Sequence, residues 1–581
     1  MQQVDFTTLT AICQELATTW IPARVETVYQ LDRHTVLLGL RTLSERGWLA
    51  VSWHPEAARI VLTDPPPRRP DTFTFGQQLK HQLGGLALVA IPAVAPWERV
   101  MDLQFASRPG ESATYHLFVE VMGKYSNATL TDADRSIIAT AHQVSGKQSS
   151  VRTVQTGQPY ELPPGLLTTM PSRQETLTSW QERISLVPGI VTKRLISNYR
   201  GLSTAITQAM LTAAAIKIDA MTTELVAADW QRLFQVWQQW QITLADGQAW
   251  QPGWTVSGYN ALGWGTSQPA PSVNQMVNEY FTNILNHTNF QQLRHQLTTK
   301  LGGVISKLEV KAQTFRSRLA ESQDAEELRS RADLLMAHLH LWQSGLSEMV
   351  LTDFETEQPV TIALNPEKSG SQNAQAIYKK YQKLKRAQTL VLPLLASVQA
   401  ELDYLIQIAA SISQIETYQQ PIDLETLAEI KEELIQSGYL PAPANRPKPS
   451  ALPETQPRSF TSPNGFNVLV GRNNRQNDRL TFKTATDYDL WFHAQEISGS
   501  HGLLRLPAGA MPEVVDLQYV ANLMAYHSRG RQSEAVPVVY TATKHVYKPK
   551  GAKLGMVIYK HEQIIWGHPH QADLAVKNEL D

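Results

Sequence analysis

Between positions 470 and 494 the chain reads VGRNNRQNDRLTFKTATDYDLWFHA. A polar, Asn-rich loop carrying Arg472, Arg475 and Arg479 leads into a strand-like alternation that ends in Trp491, Phe492 and His493. Guanidinium and ammonium groups suit phosphate oxygens, and flat rings stack on unpaired bases. The surrounding stretch reinforces this chemistry. From 460 to 560 there are 12 basic residues against 7 acidic ones, in a chain whose formal net charge is only −1. The basic residues include Lys483, Arg531, Lys544, Lys548 and Lys553, and Phe482, Trp491, Phe492, Tyr540 and Tyr547 lie among them. The competing reading is a solvated basic face with no partner. Covalent chemistry is poorly served here. Ser500 and His501 are adjacent and cannot form a nucleophile–base pair by local geometry alone. His493 and His501 stand eight apart with no further ligand cluster, so no metal site is expected. Asp487 and Asp489 share one face of a strand.

A second feature with phosphate chemistry is ISLVPGIVTKRLISNY, 184–199. A helix end, a turn at Pro188 and Gly189, and a second amphipathic helix make a helix-hairpin-helix pattern. Its turn would present backbone N–H groups to a phosphate, as helix N-termini do. A plain helical turn has the same pattern.

Long helices are expected to position these parts. Leu328, Ala332, Leu335, Leu339 and Trp342 recur at steps of 4, 3, 4, 3. Val391, Leu395, Val398, Leu402, Leu405, Ala409 and Ile412 continue the same rhythm. Such heptad seams predict supercoiled helices, one over 273–347 and one over 372–437. The segment between them has two strand-like runs. The simplest geometry is an antiparallel hairpin with a small β tip and arms roughly 100 Å long. The alternative is a dimerisation coiled coil, since heptads pair within or between chains. Upstream, helices over 7–19 and 74–83 and strands over 35–40, 48–53 and 115–122 predict an α+β module, with a loop at 64–71. A Pro-rich linker fills 441–459.

The bulk numbers agree with a soluble multidomain protein. The chain has 581 residues, 42% hydrophobic and 18% charged. The single cysteine, Cys13, excludes an intrachain disulfide framework and fits a reducing compartment. The opening MQQVDFTTLTAICQEL lacks the basic start of a signal peptide. The longest apolar run identified, near 84–96, is short for a membrane span. A cytoplasmic location is expected, with no membrane partner, no cofactor and no metal.

Several longer runs are similar to the NFACT family, which includes bacterial factors also described as fibronectin-binding protein A-like. In the C-terminal part these are GFNVLVGRNNRQNDRLTFKTA, DLWFHAQEISGSH, YHSRGRQSEAVPVVYT and VYKPKGAKLGMVIY. LNPEKSGSQNAQAIYKKYQKLKRA resembles the family's coiled-coil run, and EVMGKYSNATL and VRTVQTGQPYELPP resemble its N-terminal motifs. The resemblance implies an α+β multidomain fold. Its parts would be a glycosylase-N-domain-like α/β module (1–170), a helix-hairpin-helix region (171–270), a long antiparallel coiled-coil hairpin with a β tip (271–440), the linker, and an α+β RNA-binding NFACT-R module (460–570).

The implied function is ribosome-associated quality control. Such a factor binds large ribosomal subunits obstructed by peptidyl-tRNA and recruits an aminoacyl-tRNA, alanyl-tRNA in bacteria, for C-terminal tailing of the stalled chain. The coiled coil would reach a stalk-base ribosomal protein. Ribosomal RNA would make the peptide bond, so no catalytic residue is expected. Carried onto this sequence, the tRNA and tailing residues are Glu98, Arg99, Lys124, Ser126 and Asn127. The RNA-binding residues in the Asn-rich run are Arg472, Asn473, Asn474, Gln476, Asn477 and Asp478. Beyond it they are Lys483, Trp491, His493, Ser500, His501, Arg531, Lys544, Lys548 and Lys553. Pro188 and Gly189 would contact phosphate. Glu98 stands where the family has aspartate, Val539 where it has aspartate, and Ser498 where it has proline. Repair enzymes with the glycosylase fold use an N-terminal proline followed by glutamate, whereas this sequence opens Met1, Gln2, Gln3. The alternatives are a fibronectin-binding surface adhesin and a nucleic-acid-processing protein.

Overall fold

A computed structural model describes residues 1–66, 71–165, 168–247, 250–442 and 455–572. The chain divides into two compact units, Met1–Leu285 and Asn286–Asp581. Most of the expected linker (443–454) and the middle of the expected 64–71 loop (67–70) lie outside the described residues.

The first unit opens with helix α1 (Phe6–Thr19). Asp5 caps it by accepting the N–H of Thr8 at 2.9 Å. Leu9, Ile12 and Leu16 recur at helical spacing and are buried, as is Cys13, whose thiol burial pushes up to about 12. Strands β1 (Ala23–Asp32), β2 (Thr35–Arg41), β3 (Arg46–Ser52) and β4 (Arg59–Thr63) form a meander. After helix α2 (Thr74–Leu83) the chain returns to the other side of β1 as β5 (Ala87–Ala90). A second meander follows: β6 (Val100–Ala106), β7 (Tyr115–Glu120), β8 (Asn127–Asp132) and β9 (Ile137–Thr140). The result is one nine-stranded sheet in the order β4-β3-β2-β1-β5-β6-β7-β8-β9, antiparallel at each pairing. The unbroken apolar run of β2 is buried on both faces, and α1 and α2 contribute to the same core.

Helices α3 (Leu177–Ser185), α4 (Val191–Asn198), α5 (Thr204–Ala213) and α6 (Ala227–Asp246) come next. Their core is aromatic, with Trp180, Tyr199, Trp237 and Trp240 fully buried. Strands β10 (Gly253–Thr255), β11 (Gly258–Asn260) and β12 (Gln268–Pro269) make a small sheet before α7 (Val273–Gln323). Glu15 of α1 accepts the first N–H groups of α7, from Val273 and Asn274, at 2.7 and 2.9 Å.

The second unit holds the paired helices. The predicted first arm is interrupted at Asp324, beyond which α8 (Ala325–Ala337) begins with Glu326 and Glu327 in its first turn. Strands β13 (Glu348–Thr352) and β14 (Pro359–Ala363) pair antiparallel at the tip. The return helix α9 (Gly370–Ser413) starts from a capping box of Ser369 and Gln372. It ends well short of 437, and a separate helix α10 (Pro421–Gln436) takes over. Pro421 sets that boundary: it has no N–H to continue a helix and is favoured at a first helical position. The arms are therefore shorter than predicted, roughly 65 Å of continuous helix for α9.

The heptad seams are filled within the chain. Val391, Val398 and Leu402 of α9 pack with Ala312 and Phe315 of α7. Further along, Leu405, Ile408 and Ile412 meet Phe290, Leu297 and Leu301, so the pair runs antiparallel. The first seam packs Leu335 against the β tip through Met349, Leu351 and Ile362. Helix α9 is also long and apolar enough to cross a membrane by length and composition, which the run at 84–96 is not. Its seam nevertheless has a use in this intramolecular core.

The C-terminal module is a six-stranded sheet with one helix packed on it. Its parts are β15 (Arg458–Thr461), β16 (Asn467–Val470), helix α11 (Asn474–Arg479), β17 (Leu490–Ala494), β18 (Gly502–Leu504), helix α12 (Val514–Tyr526) and β19 (Val536–Ala542). Then come β20 (Val546–Tyr547) and β21 (Ile558–Tyr559), which pair with each other, and β22 (Gln563–Gly567). The order is β15-β16-β18-β17-β19-β22.

Truncation of the seam tests the in-chain pairing. Leu405→Ala, at a position with 0% exposure, should lower the stability of the full chain by about 2–5 kcal/mol in urea unfolding followed by circular dichroism. Leu392→Ala, on the same helix but 52% exposed, should stay within about 0.5 kcal/mol of the parent. Equal effects at the two positions would refute the seam.

Candidate RNA-binding site

In the first unit the sequence-predicted pair Glu98–Arg99 lies in the loop between β5 and β6, after Trp97, whose φ of 63° puts it in the left-handed region. The two side chains do not form a surface ion pair with each other. Glu98 Oε1 accepts from Arg200 Nη1 at 3.3 Å. Arg99 donates to the Val4 carbonyl at 3.4 Å, and burial lowers its pKa against the opposing pull of Asp5 and Glu98. Both line a cavity of about 460 Å³ together with Trp97, Tyr125 and Ser203. Lys124 lies beside it, its ammonium 5.0 Å from the centroid of the Tyr125 ring, and that ring is 72% exposed. Ser126 and Asn127 differ from the expectation. Both are buried: Ser126 Oγ accepts the Met122 N–H at 2.8 Å, and Asn127 Nδ2 donates to the His142 carbonyl at 2.8 Å. They shape the turn that presents Lys124 and Tyr125. Sequence reasoning missed Trp97, Tyr125 and Arg200. The first two are aromatic neighbours of the motif residues, while nothing in the sequence points to a partner 102 positions away.

The hairpin turn is also corrected. The Gly189 N–H donates to Thr222 Oγ1 at 3.2 Å, and the Val191 N–H donates to the Ala220 carbonyl at 3.0 Å. A donor engaged inside the protein is not open to a phosphate, so the expected phosphate contact at Pro188 and Gly189 loses the Gly189 N–H.

In the C-terminal module the Asn-rich run is a short capped helix rather than an RNA-facing loop. Asn473 and Asn474 are each 1% exposed. Asn473 caps α11 by accepting the Gln476 N–H at 3.0 Å and donates to Glu429 at 2.6 Å. Asn474 donates to Glu433 at 3.1 Å. Gln476 donates to the Thr455 carbonyl at 3.0 Å, and Asn477 Oδ1 accepts the His501 N–H at 3.0 Å. Ser500 Oγ donates to the Gly471 carbonyl at 2.6 Å, and the His501 ring meets Thr481 Oγ1 at 2.8 Å. Trp491 is buried against His493, His501 and Tyr559, so it is core and not a stacking platform. Two of the expected RNA-binding lysines are also engaged. Lys548 pairs with Asp478, which accepts the Gly555 N–H at 2.9 Å as well. Lys553 sits 4.5 and 4.7 Å from the ring centroids of Tyr404 and Tyr439.

Two family models cover these regions. The one described as NFACT N-terminal and middle domains matches residues 5–452, and the NFACT protein RNA binding domain matches residues 456–561. The chain belongs to the NFACT family. It is 27% identical over 565 residues to Rqc2 homolog RqcH of Bacillus subtilis (strain 168), covering 95% of each chain. It is 28% identical over 555 residues to Rqc2 homolog RqcH of Streptococcus suis (strain 05ZYH33), covering 93% of this chain and 94% of that one. Among solved structures, the C-terminal part of the fibronectin/fibrinogen-binding protein from Streptococcus suis is 28% identical, with a TM-score of 0.38, covering 50% of this chain and 98% of that one.

The module of this NFACT chain still exposes basic and aromatic side chains. Lys483 and Lys544 are exposed, as are Phe482, Tyr488 and Tyr547. The Thr543 N–H donates to the Asp489 carbonyl at 3.2 Å, and Thr543 Oγ1 reaches the Thr486 carbonyl at 2.5 Å, which brings the two segments carrying these residues together. Arg472 donates through Nε to the Gln456 carbonyl at 3.0 Å, and Arg531 packs over Tyr526. The module's buried imidazoles are held neutral. Burial lowers His493 to about 4 and takes His501 and His527 well below the usual histidine value.

A histidine with a depressed folded pKa binds its proton preferentially in the unfolded chain. Its contribution is fully present above pH 6.5 and is lost as pH falls toward the folded value. His493 alone should therefore lower stability by about 2 kcal/mol between pH 7.5 and pH 5. Urea midpoints at the two pH values read this, and His493→Gln should make the profile shallower, with His501 and His527 keeping their share of the slope. A parent profile flat across this window would contradict neutral burial.

Proposed function

We propose that this NFACT protein is a cytoplasmic, ribosome-associated quality-control factor. It binds large ribosomal subunits obstructed by peptidyl-tRNA and recruits an aminoacyl-tRNA so that a stalled chain is extended at its C-terminus. The observation that carries this reading is the length of the likeness. The family models span 5–452 and 456–561, and the relatives named Rqc2 homolog RqcH match over nearly the whole of both chains. In this reading the chain positions tRNA, with alanyl-tRNA the preferred cargo, and the ribosome makes the bond. The Glu98–Arg99 cavity holds part of the tRNA, with Tyr125 as a ring for a base and Lys124 for a phosphate. Lys483, Lys544, Arg472 and Arg531 supply further RNA contacts. The helix pair reaches a stalk-base protein. The five expected functional parts, with boundaries near 170, 270, 440 and 460, remain the proposed division of labour.

Sedimentation from cells with stalled translation tests the reading. The chain should travel with free large subunits, and the association should weaken steeply as salt rises, because phosphate contacts release counterions. Tyr125→Ala removes an exposed ring, so folding should be kept. Recovery of tRNA should fall about tenfold, in line with the loss of one stacked base, while subunit association persists. Full tRNA recovery with Tyr125→Ala would reject the site; absence from subunits would reject the function.

A further inference from the structure

The helix pair carries a line of charge that the fold leaves unpaired. Along α7, Lys300, Lys307, Lys311 and Arg318 recur at steps of 7, 4 and 7, which places them in one row along the helix. All four are exposed. The row runs about a quarter-turn round from the seam of Leu301, Leu308, Ala312 and Phe315. Glu309 is the one acidic residue between 300 and 320, and at about 3.6 residues per turn it falls on the opposite side of the helix. None of the four cations forms an ion pair among the described residues, and Lys311 lies 5.9 Å from the centroid of the Phe315 ring. Cations off the row do have partners. Arg316 donates to Gln399 Oε1 at 2.7 Å, and Arg329 and Arg331 pair with acids of α8. On the facing stretch of α9, Glu401 accepts the Tyr439 hydroxyl at 2.9 Å and Asp403 accepts the Gln399 amide at 3.0 Å.

A second observation falls on the same side of α7. Gly302 and Gly303 are exposed in mid-helix, and a side chain at either would meet nothing within 4 Å. Glycine inside a helix is destabilising, and no neighbour in the fold requires it here. Gly303 stands one turn from Lys300 and one turn from Lys307. A bare backbone between two ammonium groups lets an outside body come close to the helix while both lysines reach it.

The row is roughly 27 Å long at 1.5 Å per residue. A nucleic-acid backbone offers phosphates throughout such a length. Phe315 is the one aromatic residue between 300 and 320, and it is buried. Single strands are held on exposed rings, whereas double-stranded RNA is met through its phosphates and 2′-hydroxyls. We propose that this row on α7 is a docking surface for the backbone of double-stranded RNA, with the glycine pair as the point of closest approach. Charge and geometry carry the surface; that the duplex belongs to a large ribosomal subunit or a tRNA rests on the functional reading above.

The test uses the full chain with a labelled RNA duplex of about 20 base pairs and, separately, one of its strands, followed by fluorescence anisotropy over a salt series. Lys307→Gln should weaken duplex binding about fivefold and lower the salt slope by about one. Arg316→Gln, which removes the same charge from the other flank, should stay within about twofold of the parent. Gly303→Leu has room for its side chain and gains helix propensity, so its thermal midpoint should not fall, yet duplex binding should weaken about fivefold. Single-strand binding, held by exposed rings elsewhere, should stay within about twofold in all three variants. Equal losses from Lys307→Gln and Arg316→Gln overturn the row. So does parental duplex binding by Lys307→Gln, the result expected of a row that meets an acidic protein or water alone. Parental duplex binding by Gly303→Leu overturns the close approach, and equal losses for duplex and single strand overturn the choice of duplex. Sedimentation is scored separately: a chain that shows the Lys307 effect but never travels with large subunits loses only the functional reading, whereas one that travels with them and lacks the effect loses only this surface.

Discussion

The second unit depends on two carboxylates of α10 that are buried with no cation directly bonded to them among the described residues. Glu429 accepts the N–H and hydroxyl of Thr455 at 2.6 and 3.0 Å and the amide of Asn473 at 2.6 Å. Glu433, 2% exposed, accepts the Tyr404 hydroxyl at 2.8 Å and the Asn474 amide at 3.1 Å. Removing a carboxylate from water is costly unless its lone pairs are met. Burial dominates at Glu433 and raises its pKa, against the lowering pull of Tyr404 and Asn474. Neutral amide and hydroxyl donors make the arrangement specific in register, because each must stand opposite one oxygen. This interaction joins the end of the helix pair to the C-terminal module, and it explains the asparagines: they are donors to a neighbouring helix before they are anything else.

The same contact organises the basic loop that follows. With α11 fixed by Asn473 and Asn474, Asp478 is held where it accepts the Gly555 N–H and pairs with Lys548. Lys553 then lies over Tyr404 and Tyr439, the first of which also donates to Glu433. The local surplus of basic residues therefore divides into two populations. One closes the loop onto the helix pair. The other, including Lys483 and Lys544, faces solvent beside exposed rings. Counting charges along the chain gives the sum of these populations and cannot separate them.

The parts of the fold legible in the sequence were those set by short-range periodicity. The helices at Phe6–Thr19 and Thr74–Leu83, the strand run at 35–40 and the heptad seams follow from apolar spacing, which records burial directly. The break before Pro421 had a local signal too, but the heptad rhythm leading up to it masked the proline's effect. The site was less legible because its polar residues have two indistinguishable uses. An Asn that caps a helix and an Asn that reads a base have the same one-letter code, and only the position of Glu429, 44 residues upstream of Asn473, decides between them. Trp491 misled for the complementary reason: an aromatic among lysines suggests stacking, yet its strand is central in the sheet and its ring is enclosed on both sides.

The first unit shows the same logic at Glu98. Glu98 is one methylene longer than an aspartate would be, which adds about 1.5 Å of reach. At 3.3 Å the Glu98–Arg200 contact is already at the long side of a charged hydrogen bond, so a shorter side chain from the same backbone would leave Arg200 beyond contact. Glutamate at this position therefore fits the placement of Arg200. The neighbouring Arg99, bonded to the Val4 carbonyl, lies close to Asp5, which caps α1 and accepts Ser203 Oγ, the cap of α5, at 2.6 Å. The cavity wall is thus a chain of alternating charges anchored on two helix starts. Its positive members are held in place by partners in the fold rather than by each other, and Arg99 sits at the cavity with Asp5 and Glu98 as the carboxylates that favour its charge.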